Sequence, residues 1–92
     1  MTTEQTFSSI WDAIEDIPAE AENMKVRSAL MMQLNQHLEQ LSGTDADKAA
    51  RLGITRPRYS DLKHGRIQKF SIDALVSFAS AVGLHVHLEL AA

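Results

Sequence analysis

The 92-residue sequence predicts a mainly α-helical single domain whose centre is two short helices joined by a tight turn and whose end is one β-strand. Three observations predict it. Apolar residues recur at spacings of three and four along most of the chain, the period of a helix with one buried face. Gly43, Gly53 and Gly83 stand where those patterns stop, and glycine supplies the left-handed residue that ends a helix. From Leu84 to Leu90 the period changes to two, which is that of a half-buried strand.

Phe7 to Ile17 reads as a short amphipathic helix, with Ile10, Trp11, Ile14 and Ile17 on one face and Trp11 assigned to the core. Pro18 interrupts it. A long helix then follows from Ala19 to about Leu41, with Leu30, Leu34, Leu38 and Leu41 as its apolar stripe and Ser42-Gly43 as its close. Met24, Met31 and Met32 read as core filling, because an unbranched thioether suits irregular gaps.

Residues 44–65, TDADKAARLGITRPRYSDLKHG, have the pattern of a helix-turn-helix. Asp45 to Leu52 is rich in helix formers, and Gly53 stops it. Ile54 is an apolar anchor within the turn. Thr55 has the hydroxyl of an N-cap, and Pro57 falls in the first turn of the next helix, where its missing N–H costs little. That second helix starts at Arg56. Ala49, one turn before Gly53, is small enough for the two helices to approach closely.

Tyr59 and Leu62 face the core with Leu52 and Ile54, and Pro57, Ser60, Asp61 and His64 lie opposite. Those short or polar side chains suit a surface pressed into a DNA major groove, with Arg56 and Arg58 flanking them. The base-reading candidates are Thr55, Arg56, Pro57, Ser60 and Asp61. The phosphate-contact candidates are Thr44, Arg58, Lys63, His64, Arg66 and Lys69. The competing reading is an ordinary helical hairpin with a solvated face. It is disfavoured because periodicity, turn glycine and N-cap coincide in one short window.

Downstream, Ser71 is an N-cap for a helix over 71–82, with Ile72, Leu75, Val76 and Ala79 inward and Gly83 as the stop. The strand over 84–90 has no second strand to pair with in the sequence, and an unpaired strand leaves backbone donors and acceptors unsatisfied. Pairing with its own twin across a two-fold axis is the economical solution, so Leu84, Val86, Leu88 and Leu90 are the dimerisation candidates.

The overall charge of −3 conceals two opposite halves. Residues 48–69 carry seven cations against one acid, Asp61, for +6, whereas residues 1–47 carry nine acids against two cations, for −7. A basic block centred on a two-helix motif is the footprint of phosphate binding.

The chain has no cysteine, so disulfides and thiolate metal sites are excluded. No order or spacing of Ser, His and Asp suggests a triad, and glycine is too sparse for a phosphate-cradling loop. His85 and His87 share a strand face, but without an acidic constellation they read as surface residues rather than a metal site, as do the isolated His37 and His64. No enzyme activity, cofactor or metal is expected. Neither a leader nor a run of roughly 20 apolar residues is present, so a cytoplasmic location and no membrane partner are expected.

Three segments carry a family resemblance: EAENMKVRSALM at 20–31, AARLGITRPRYSDLKHG at 49–65 and KFSIDALVSFASAVGLHVHLEL at 69–90. Together they resemble the xenobiotic-response-element (XRE) type of helix-turn-helix regulator, and specifically the antitoxins of the host-inhibition-of-growth toxin–antitoxin class. The resemblance implies a lambda-repressor-like helical domain, a homodimer that binds a double-stranded operator as a repressor, and a protein toxin as partner. Asp45 departs from the Gln expected at a phosphate contact, and Arg56 from a second Gln before the proline, which implies a different operator sequence. Glu15, Asp16, Glu20 and Glu22 crowd the break before the long helix, where acids favour the N-terminal dipole; toxin docking is their alternative role. The alternatives for the whole chain are a protein-interaction module that blocks a toxin with little DNA binding, and a stand-alone phage- or plasmid-type repressor.

Overall fold

The computed structural model describes residues 18–92, so the helix expected over 7–17, with Trp11, lies outside the described residues. Four α-helices follow one another: α1 (Pro18–Gln40), α2 (Asp45–Leu52), α3 (Arg56–Lys63) and α4 (Ile72–Ala81). A single 3₁₀ turn, Ile67–Lys69, stands between α3 and α4.

Helix α1 is a 23-residue run of good helix formers with Val26 its only β-branched residue, about 35 Å long at 1.5 Å per residue. Its C-terminal half forms one wall of the core through Met31, Leu34 and Leu38, with Leu30 and Leu41 half-buried against it. The N-terminal half projects into solvent. Every residue from Pro18 to Val26 is exposed. Of the three methionines expected to fill the core, only Met31 does; Met24 is on the same face but in the projecting half of the helix, and Met32 is on the side of α1 away from Leu34.

Helix α2 is closed at both ends by its own sequence. Thr44 Oγ1 accepts from the Asp47 backbone N–H at 3.1 Å while Asp47 Oδ2 accepts from the Thr44 N–H at 2.9 Å, a reciprocal capping box. At the other end Gly53 adopts φ +75°, and the Gly53 and Ile54 N–H groups donate to Ala50 O and Ala49 O. This places the last carbonyls of the helix on real donors. Helix α4 ends alike at Gly83, φ +84°, with Leu84 N–H donating to Ala79 O at 2.9 Å. Both glycines lie where the sequence predicts a stop.

The core joins Met31, Leu34 and Leu38 to Ala49 and Leu52 of α2, Tyr59 and Leu62 of α3, Phe70, and Leu75, Phe78, Ala79 and Val82. Leu62 is fully buried. Phe70 and Phe78 meet edge to face with ring centroids 6.0 Å apart, a geometry that gains from the ring quadrupoles beyond the area buried. Ala49 is 2% exposed where α2 meets α3, as the small residue was expected to be. In α4 the inward face is rotated from the expected one. Phe78 is buried, Ile72 half-buried and Val76 exposed, because the Phe78 ring reaches Phe70 and turns that side of the helix inward.

Residues 84–90 form no strand in the single chain, and no strand occurs among the described residues. Leu84 and Val86 pack against the core from the α1 side, whereas Leu88 and Leu90 are 78% and 101% exposed. The alternation expected here is therefore expressed only in its first half. A strand is defined by a ladder, and a lone chain offers this segment no partner for one.

Candidate nucleic-acid interface

Helix α3 is set in place by two anchors and several backbone bonds. Tyr59 and Leu62 anchor it in the core. Thr55, extended at φ −75° and ψ 162°, accepts the Arg58 N–H on its hydroxyl at 3.2 Å, and Pro57 occupies the first turn. Asn35 of α1 donates its side-chain amide to Leu62 O at 2.9 Å. Arg27 of α1 reaches Ile67 O and Phe70 O, each at 3.4 Å, and Arg58 donates to Lys69 O at 3.2 Å with its guanidinium 4.4 Å above the Phe70 ring. The long helix thus fixes α3 and the segment after it largely through carbonyl oxygens.

The sequence-predicted residues divide by what they do in this frame. Arg56 and Pro57 are exposed. Arg56 makes no side-chain hydrogen bond or ion pair with any described residue, and it stands at the first position of α3 with its full length free. Thr44 and Thr55 are helix caps whose hydroxyls already hold an N–H. Ser60 is half-buried, and its carbonyl lies 2.8 Å from His64 Nδ1, which folds the imidazole back along the helix.

The cations expected to meet phosphate are mostly engaged. Lys63 Nζ is 3.2 Å from Asp45 Oδ2. Arg66 donates to Asp61 Oδ1 at 2.8 Å, and Lys69 Nζ is 3.6 Å from Asp61 Oδ2. Asp61, expected among the base readers, therefore spends its carboxylate on two cations of the following loop. The Arg66 hydrogen bond, with Lys69 and Arg66 as added positive charge, holds the Asp61 carboxyl below the usual carboxylate range. Backbone and side-chain bonds from Thr44 do the same for Asp47. Burial pushes the Tyr59 phenol up, and the neighbouring Asp45 charge adds to it.

Sequence reasoning missed the residues that hold the frame. Asn35 belongs to no motif, and Arg27 falls within the 20–31 segment without any pattern that singles it out. His37, read as isolated, lies with Nε2 3.3 Å from Val82 O at the end of α4. Their common signal is a polar residue on the buried side of α1, one turn from Leu30, Leu34 or Leu38.

The two short helices, their glycine-ended turn and the exposed start of α3 are the parts of a helix-turn-helix. No described helix is long and apolar enough to cross a membrane. A family model described as a helix-turn-helix domain matches residues 13–91. No curated protein matches the chain.

Proposed function

Since the chain belongs to this helix-turn-helix domain family, we propose that it is a cytoplasmic, sequence-specific transcriptional repressor of the XRE type, a homodimer that binds a double-stranded operator and catalyses no reaction. The observation that carries the reading is the outward end of α3. Arg56 is exposed and uncommitted among the described residues, next to an apolar Pro57, on a helix fixed from behind by Tyr59, Leu62 and Asn35. A guanidinium so placed suits the two acceptors of a guanine edge in the major groove.

The reading extends to an antitoxin that represses its own operon and neutralises a partner toxin. Its support is the family resemblance of residues 20–31, 49–65 and 69–90, together with the exposed, acid-bearing start of α1, a surface on which a basic partner protein would find complementary charge.

The test is binding of the duplex from upstream of its own gene. Two faces related by a two-fold axis require half-sites about one helical turn apart, and affinity falls steeply with salt, by roughly 10³-fold from 50 to 200 mM if six or more phosphates are contacted. A flat salt response, or equal affinity for every duplex, excludes sequence-specific repression. Pull-down of the product of the adjacent gene tests the antitoxin role separately.

A further inference from the structure

The ion pairs of the motif place acids directly on the cations that any DNA would attract. Lys63 is held by Asp45, and Arg66 and Lys69 are both held by Asp61. Arg58 is committed to Lys69 O and the Phe70 ring. Four of the seven cations in residues 48–69 are thus engaged within the domain, leaving Lys48, Arg51 and Arg56 without a side-chain bond among the described residues. All three ion pairs are at the surface, with the Lys and Arg side chains more than half exposed, so a phosphate can compete for each cation at small energetic cost.

We propose that Asp45 and Asp61 are specificity-determining residues that suppress binding to non-operator DNA; the inference rests on the DNA-reader reading above. Binding out of register depends on phosphate contacts and counterion release, and a carboxylate beside each cation stays close to the phosphates and offsets part of its charge even when the pair opens. Binding in register also gains the base contacts of Arg56. It further gains from guanidinium and ammonium groups that are held in one geometry rather than free to follow any backbone. The same two carboxylates therefore weaken random binding more than operator binding. Asp61 acts here as a positioning residue rather than a base reader.

The experiment compares the full chain with Asp45→Asn, Asp61→Asn, Asp61→Glu and Glu22→Gln against the upstream duplex and a random-sequence duplex of equal length, across a salt series. Glu22→Gln makes the same charge change on α1, outside the two-helix motif, where Glu22 pairs with Lys25. Asp45→Asn and Asp61→Asn are expected to raise random-duplex affinity by about tenfold at 0.1 M salt and to steepen the salt slope by about one, the effect of one more released counterion. Operator affinity rises less, so the operator-to-random ratio falls. Asp61→Glu, which keeps the charge, stays near wild type.

Random-duplex affinity for both Asn variants that matches Glu22→Gln overturns the proposal. So does loss of a preference at one base in Asp61→Asn, read on single-base variants of the upstream duplex, which would make Asp61 a base reader. Two independent acids guard against a folding defect in one variant, checked by thermal melting. A wild-type protein that binds neither duplex fails at the earlier step and overturns the repressor reading itself.

Discussion

Single side chains in this domain have separable jobs, and substitutions should divide accordingly. Arg56→Ala is expected to cost about 1–3 kcal/mol of operator binding and to relax preference at particular base positions, while Lys63→Ala or Arg66→Ala weakens every single-base variant of the operator alike; a panel of such variants reads the difference. Leu62, with no exposed surface, should cost about 2–5 kcal/mol of folding stability on truncation to Ala, measured by urea unfolding. The caps are worth less. Thr55→Ala removes the acceptor for Arg58 N–H and should cost about 1 kcal/mol. Acid titration tests Asp47 and Asp61 together. Both carboxyls are held below their ordinary range when folded, so their stabilisation is complete above the unfolded value of about 3.9 and is lost as pH falls through the lower folded values. Urea midpoints should be insensitive to these groups near neutrality and should decline below about pH 4, with a shallower decline in Asp47→Asn and Asp61→Asn.

Among the elements, the helix ends are local and the helix faces are not. Gly53 at φ +75° has nothing within 4 Å of a built Cβ, so Gly53→Ala should cost roughly 1–2 kcal/mol from backbone conformation alone. The 84–90 segment behaves differently along its length. Leu84 and Val86 pack against the core of the chain, whereas Leu88 and Leu90 are exposed. Replacing Leu88 and Leu90 together with Asp should therefore leave the chain folded and, if the proposed dimer forms through this segment, shift it to monomer in sedimentation. A variant that remained dimeric would place the contact elsewhere, first on α1.

The same division explains what could be read from the sequence. Gly53, Thr55, Ser71 and the start at Arg56 were legible because a cap or a turn is decided by a few consecutive residues. The rotation of α4 toward Phe78, the exposure of Val76 and Met32, and the pairing of Asp61 with Arg66 were not. Each depends on which neighbour arrives from another element, and one sequence does not state that.

At the scale of the molecule, charge is separated along the chain, with +6 over residues 48–69 and −7 over residues 1–47. Approach to DNA should therefore be oriented before contact, and association rates should fall with ionic strength more steeply than for a domain of evenly mixed charge; stopped-flow association across a salt series measures this. The way α3 is held has another outcome. Its supports are Tyr59, Leu62 and main-chain oxygens such as Leu62 O, which takes the Asn35 amide. None of them uses the side chain at position 56, which is exposed. A carbonyl is the same in every residue, so mutation can rewrite the outward letters of this helix while its seat stays unchanged. On the repressor reading proposed above, descendants of one such gene can drift to new operators in a few substitutions, and paralogues sharing a cell can diverge until they no longer answer to each other's promoters.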